Sequence, residues 1–535
     1  MAFTPRSDTQ VKGYLALVLH AHLPFVRHPE HEVFLEENWL FEAITETYLP
    51  LLDILARLVA DGVPFRLTLS ISPPLTAMLN DNLLRSRYAR RIDQLVELAA
   101  KEVERTRDDP PFDRLAQGYQ ERFVECRRLF NEVYDRDLVG ALRRLQDAGV
   151  IDIITSAATH AYLPLLQSTE GALRSQVQIG VNEYQRCFGR WPDGFWLPEC
   201  GYAPGIDQAL ADAGIRYFLL EAHGVTYAKP RPKFGPFAPV FCPSGVAAFA
   251  RDLQSSRQVW SAVDGYPGDR TYREFYRDVG YDLDYDYIRP YVHPDGNRVD
   301  TGIKYYRITG ADHHKEPYDP VLARQTAEQH ATEFVASRAA QIEYLEPGMG
   351  RKPIVVAPYD AELFGHWWYE GPHWLESVLR NIAAEQTAFR TATPWDYLTE
   401  FPVNQEVTPC ASSWGWKGYH EVWLEGSNDW IYRHLHIAAQ RMGELAERFG
   451  MPTPVERRAL NQAARELLLA QSSDWAFIMK SGTAVEYAVK RTAQSLQNFL
   501  RLYTDIIRGD IDAAWLAELE RRDNIFPSID YRVYM

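Results

Sequence analysis

Residues 14–24 read YLALVLHAHLP, an unbroken apolar run, Tyr14–Leu19, that stops at His20-Ala21-His22-Leu23-Pro24. Apolar on both faces, such a run has the pattern of a parallel strand covered on both sides rather than of a half-exposed hairpin. Six runs of the same kind follow in the first 360 residues: Phe65–Ile71, Ile151–Thr155, Gly194–Pro198, Tyr217–Glu221, Val246–Arg251 and Ile354–Pro358. Helical periodicity fills the gaps, as in Leu49–Asp61, Ala172–Phe188 and Gly205–Ala213. Alternating β and α units give an α/β class, a parallel barrel or a doubly wound sheet.

Residues 80–149 are charged and helical in period, with no strand, and read as a helical insertion after the second run. Residues 229–245, KPRPKFGPFAPVFCPSG, carry Pro and Gly in close order, which forbids a helix and predicts a semi-rigid exposed loop within an insertion at 225–245. A second irregular segment runs from Asp264 to Asp319. After Phe401 the pattern turns helical: Thr453-Pro454-Val455-Glu456 and Thr483-Ala484-Val485-Glu486 read as capping boxes, and Gly509 as a helix stop. The expected division is a catalytic unit over 1–400 and a helical one over 401–535.

Composition excludes several classes. A hydrophobic share of 46% and a charged share of 24% are those of a globular chain. Against 72 Asp and Glu, 57 Lys and Arg leave a net charge of −15, which argues against a nucleic-acid surface. Met1–Gln10 is polar, Tyr14–Leu19 is too short and too late for a signal peptide, and no window has the roughly 18–20 apolar residues of a membrane span. Five scattered cysteines without a CxxC indicate neither a disulfide framework nor a thiolate zinc site, and point to a reducing, cytoplasmic location. The unusual feature is aromatic: 14 Trp, 30 Tyr and 24 Phe make up 13% of an acidic chain. Rings stack on sugar faces and carboxylates bind hydroxyls or cleave acetals, although core filling accounts for most rings.

Active sites of such folds gather where strands end. There the sequence sets His20 and His22, then His160, then Glu199 in Trp196-Leu197-Pro198-Glu199, and Asp360 after Pro358-Tyr359. HxH alone is weak, serving hydrogen bonding as readily as a metal. Two carboxylates on one rim are what glycoside chemistry requires: one protonates the leaving oxygen, while the other attacks the anomeric carbon or activates water, depending on their separation.

HAHLPF, SAATHAYLPL, WLPECGYAPG, APYDAELFGHWWYEGP and AQSSDWAFIM together resemble, in order, the five motifs of glycoside hydrolase family 57. RDLQSSRQVWSAVDGYPGDRTYREFYRD and SSWGWKGYHEVWLEG are similar to the branch of that family containing the 1,4-α-glucan branching enzymes. The resemblance implies a (β/α)7 barrel with a lid insertion and an all-helical C-terminal domain, working by double displacement without a metal or other cofactor. It implies Glu199 as nucleophile and Asp360 as general acid/base, with His20, His22 and His160 lining the sugar subsite. It further implies Arg251, Gly268, Trp414 and Asp474 as substrate-binding residues, with Trp260 and Trp423 as additional platforms. One departure stands out: branching members carry a tyrosine at the tip of the lid loop, where this chain has Lys233-Phe234-Gly235, with Phe237 and Tyr227 as the other candidates for that place.

The expectation is thus a retaining enzyme acting on α-glucans, passing a cut α-1,4 chain to a 6-hydroxyl, as a monomer or homo-oligomer with neither nucleic-acid nor membrane partners. The alternatives are an α-glucan hydrolase, a 4-α-glucanotransferase, and more remotely a metal-dependent carbohydrate deacetylase built on His20 and His22, or a non-catalytic glucan-binding protein.

Overall fold

The structure, a computed structural model, describes residues 11–261, 264–310, 314–384 and 388–535. Met1–Gln10, read above as polar, lie outside the described residues. The seven apolar runs all form strands: β1 Gly13–Ala21, β2 Leu67–Ile71, β3 Ile151–Ser156, β4 Gly194–Trp196, β5 Tyr217–Leu220, then, after a short β6 Val240–Phe241, β7 Ala247–Ala250 and β8 Ile354–Asp360, with β9 Phe389–Thr391 last. β1 to β5 pair in parallel in chain order, β5 pairs with β7, and β8 returns to β1. β6 is antiparallel to β7, and β9 pairs with the start of β1. Between β7 and β8 the sheet meets itself loosely, where the Asp252 N–H donates to the Val356 carbonyl at 2.8 Å.

Strand alternation sorts the side chains. Leu15, Leu17 and Leu19 of β1 pack outward on the helices, while Tyr14, Ala16 and Val18 join Ile154, Trp196, Tyr217, Leu219, Phe249 and Val356 in a core inside the curled sheet. Tyr397 plugs its lower end, its ring edge-on to Tyr14 at 5.8 Å. The same parity, continued upward, delivers His20, Ser70, Ser156, Arg251 and Asp360 to the interior at the C-terminal rim; Ser70 and Asp360 are the register partners of His20. A site at this rim therefore follows from the strand pattern.

The 80–149 insertion forms helices Asn82–Thr106, Pro110–Arg128 and Leu138–Asp147. The irregular 264–319 segment packs on the first of these, Tyr287 and Tyr305 both donating to Glu102 at 2.8 and 2.9 Å. Its backbone is held by buried Asp278, which accepts from the N–H groups of Gly280, Thr301 and Gly302. Asp278 so replaces the partners that a regular element would supply.

The region expected to be helical from 401 onward is helical from Trp430, through Trp430–Arg448, Pro454–Ala470, Ser473–Ser481, Val485–Arg508 and Ala513–Arg522. Residues 401–429 instead run back across the barrel, with bridges from Glu406 to Phe241, Thr408 to Lys229 and Ser412 to Tyr202. The capping box at Thr453 is formed, but that at Thr483 is not: its helix starts one residue late, behind Ala484, and the Thr483 hydroxyl turns to Ser481. Among the described residues no helix is long and apolar enough to cross a membrane, and all five cysteines are free.

Candidate active site

Glu199 follows β4 in a left-handed conformation, φ +61°, ψ 21°, which costs a non-glycine residue of order 1–3 kcal/mol and persists only where the surroundings impose it. Here they do. The Trp414 backbone N–H donates to the Glu199 carbonyl at 3.1 Å. On the carboxylate, Oε2 accepts from the Trp414 indole N–H at 2.9 Å and Oε1 from the Ser473 hydroxyl at 3.1 Å. One donor comes from the 401–429 strap and the other from the helix Ser473–Ser481, so the region after the barrel completes the site.

Asp360 ends β8 on the same rim. Burial, and then the neighbouring charges of Glu362 and Glu199, push its carboxyl well above the ordinary carboxylate range, against the pull of Arg251. Burial raises Glu199 as well, opposed by the Trp414 hydrogen bond. Asp360 thus carries no bond that would favour its anion comparable to the two on Glu199. Two carboxyl groups differentiated in this way suit one proton donor and one anionic partner.

The histidines form a stack beside Glu199. His20 lies flat on Trp196, ring centroids 4.4 Å apart, and its two nitrogens face Ser70 Oγ at 2.9 Å and His160 Nε2 at 3.0 Å. Burial lowers the pKa of both His20 and His160 well below the usual histidine value, so both are neutral. His22 differs: burial would lower it, but Asp474, at 3.1 Å from Nε2, together with the charges of Glu199 and Glu362, raises it overall, while His22 in turn draws Asp474 down against its own burial. They make an ion pair.

His22, His160 and Asp474 bring three potential ligand atoms within 4.8 Å of one another. They fit a metal poorly. The His22 and His160 rings are stacked at 3.7 Å and 16°, so their nitrogen lone pairs, which lie in the ring planes, do not converge on one point. The outer nitrogens are also engaged, His22 Nδ1 with Ser72 at 2.7 Å and His160 Nδ1 with Ser473 at 3.0 Å.

Of the remaining expected residues, Arg251 is on the rim, paired with Glu221 at 2.9 Å, and Trp260 extends the aromatic wall, 6.3 Å from Trp414 and stacked at 6.1 Å on Trp367. Gly268 ends a turn, Tyr266–Gly268, in which the Tyr266 ring contacts His330 and Trp374. Two expectations are corrected. Trp423 is not a sugar platform: it is 1% exposed and stacked on Tyr162 at 4.4 Å beneath the strap. Phe234 is not a lid over the rim: it sits at the opposite end of the barrel, lining a cavity of about 300 Å³ with Arg351 and Val403. Arg351 precedes β8, whose seven residues rise roughly 20 Å before Asp360; the prolines around Phe234 lead the chain down the barrel wall to pair with the strap.

Four residues of the site were not singled out by the sequence. Glu362, two positions after Asp360, is buried and accepts from the His22 N–H at 3.2 Å and from the Tyr48 hydroxyl. Tyr48 reaches it from a π-helical turn, Ile44–Tyr48, a geometry that re-aims side chains and often marks functional sites. Ser473 stood beside Asp474 and Trp367 within the motif that carries Asp360, so their place in the sequence was their signal; Tyr48 gave none.

The family pattern described as Glycosyl hydrolase family 57 matches residues 16–409, most of the chain. The chain belongs to glycosyl hydrolase family 57. A second family pattern, 1,4-alpha-glucan branching enzyme, C-terminal, matches residues 434–534 of this family 57 member. It is 36% identical over 556 residues to a 1,4-alpha-glucan branching enzyme of Thermococcus kodakarensis, covering 96% of this chain and 78% of that protein. Among solved structures it is similar to the alpha-amylase AmyC of Thermotoga maritima, TM-score 0.91 at 44% identity, covering 98% of this chain and 99% of the other. It is also similar to a branching enzyme of Pyrococcus horikoshii, TM-score 0.88 at 35% identity, covering 98% and 97%. This family 57 chain therefore stands near proteins named for two different outcomes of one bond cleavage.

Proposed function

We propose that this protein is a 1,4-α-glucan branching enzyme that cuts an α-1,4 linkage by double displacement and passes the chain to a 6-hydroxyl. The observation that carries the reading is the differentiated pair on one rim: Glu199, held by Trp414 and Ser473, and Asp360, kept protonated by burial and by Glu362. Asp360 gives its proton to the leaving 4-hydroxyl while Glu199 attacks the anomeric carbon. The glycosyl-enzyme then meets an acceptor hydroxyl, which returns its proton to Asp360. His22 and Asp474, as an ion pair, and the neutral His20 and His160 offer hydrogen bonds to the sugar next to Glu199. The Trp260, Trp367 and Trp414 rings offer faces to neighbouring glucose units.

The branching relatives over nearly the whole chain support transfer rather than hydrolysis, and the five free cysteines are in keeping with action on a glycogen-like polymer in the cytoplasm. A second reading, transfer of the same intermediate to water, draws on one specific observation: Phe234 lies with Arg351 at the opposite end of the barrel, so its ring does not cover the cleft. Incubation with amylose followed by debranching separates the two. New α-1,6 linkages in excess of new reducing ends support branching, and reducing ends without branches support the hydrolase.

A further inference from the structure

Asp360 runs on into a short connection, residues 361–368, that carries Glu362 and Trp367, and the π-helical turn Ile44–Tyr48 grips it at three points. Tyr48 donates to Glu362. The Glu46 carbonyl lies so near Gly365, at φ +113°, that a Cβ there would stand 1.8 Å from it, an approach only glycine permits. The Glu46 carboxylate accepts at Oε2 from His366 Nδ1 at 2.5 Å. Its Oε1 is walled in by Gly302, where a Cβ would stand 2.9 Å away. Burial would raise the Glu46 carboxyl, but the hydrogen bond and charge of His366, followed by the charges of Arg273 and Lys304, draw it down to about 2. Burial would lower His366, yet the same bond and the charges of Glu46 and Glu42 raise it overall. The two make an ion pair. Such a buried pair adds little stability beyond apolar packing of the same volume; what it supplies is a fixed orientation for the imidazole.

We propose that Glu46 is a positioning residue for glucan binding, setting the Trp367 ring through His366. The His366 ring meets Phe275 edge-on, centroids 5.4 Å apart, and Trp367 at 6.2 Å. Trp367, 44% exposed, stacks in turn on Trp260 at 6.1 Å. An open ring ordered in advance binds a sugar face at lower entropic cost than one that must be ordered on contact, and the imidazole fixed by Glu46 does that ordering. Glu362 is held separately by Tyr48 and the His22 N–H, so removal of the Glu46 charge reaches Trp367 and leaves the surroundings of the proton donor in place. The inference rests on the reading of Trp367 as a glucose platform, but not on the fate of the cut chain.

Amylose consumption, read by loss of iodine colour whether chains are branched or hydrolysed, gives KM and kcat separately. Glu46→Gln keeps the side-chain volume and removes the charge; KM should rise about three- to tenfold, the worth of one aromatic contact, with kcat within about twofold. In a Trp367→Ala background the same substitution should add nothing, because the ring through which it acts is gone. His366→Gln breaks the pair from its less buried side and should reproduce both results, so a Glu46→Gln protein that does not fold leaves the test intact. An equal rise in KM in both backgrounds overturns the proposal, as does an unchanged KM in Glu46→Gln or His366→Gln beside a raised one in Trp367→Ala. A fall in kcat at constant KM overturns it as well, since the effect then lies on Asp360. A KM unchanged in Trp367→Ala itself overturns the platform reading along with it.

Discussion

Replacing Trp414 by Phe removes one hydrogen bond and leaves most of the ring. The indole N–H donates to Glu199 Oε2 at 2.9 Å, while the ring edge packs on Trp196 at 5.2 Å; phenylalanine keeps the second contact and loses the first. A hydrogen bond to a charged group is worth about 1.5–3 kcal/mol, so kcat/KM on amylose should fall about ten- to 150-fold. The fall should be partial because the Ser473 donor remains, and Trp414→Phe combined with Ser473→Ala should lose more than either alone, with coupling between them. The pH profile adds a sign. The Trp414 bond holds the Glu199 pKa down against burial, so its loss raises that pKa and moves the acid limb of kcat/KM to higher pH. A Trp414→Phe enzyme within twofold of the starting protein, with an unmoved acid limb, would refute the claim that this bond supports the nucleophile.

Glu362→Gln keeps acceptors for Tyr48 and the His22 N–H but deletes a negative charge that helps hold the proton on Asp360. The basic limb of kcat/KM should move to lower pH, measured on the same substrate; movement in the other direction contradicts the assignment. Incubation with EDTA followed by desalting should leave the rate as it was, since the stacked histidines do not converge on an ion; activity lost and restored by zinc would revive the deacetylase reading. Phe234→Tyr, far from the rim, should leave the ratio of new α-1,6 linkages to new reducing ends within a factor of two, and a larger change would return this loop to the site.

The barrel was legible because a strand covered on both faces needs an apolar residue at every position, and seven runs satisfy that demand. Once the strands are fixed, parity brings His20, His22 and Asp360 to the rim, while Glu199 and His160 were found because they closely follow the ends of their strands. Trp423 was misread because a tryptophan in a sugar-binding motif serves equally well beneath the loop as on it, and sequence carries no sign of which. Phe234 was misread because Pro and Gly announce a loop without saying which end of the barrel it visits. Tyr48 was invisible: only the π-helical turn aims it at Glu362, and no residue in Ile44–Tyr48 advertises that extra turn.

A covalent glycosyl-enzyme on Glu199 can be trapped and located. The enzyme is incubated with a 5-fluoro-α-glycosyl fluoride, which slows breakdown of the intermediate more than its formation, then digested, and its peptides are weighed. One added glycosyl group is expected on the peptide containing Trp196-Leu197-Pro198-Glu199-Cys200, and none in Glu199→Ala. A label on a peptide lacking Glu199, or a label that persists in Glu199→Ala, would contradict it.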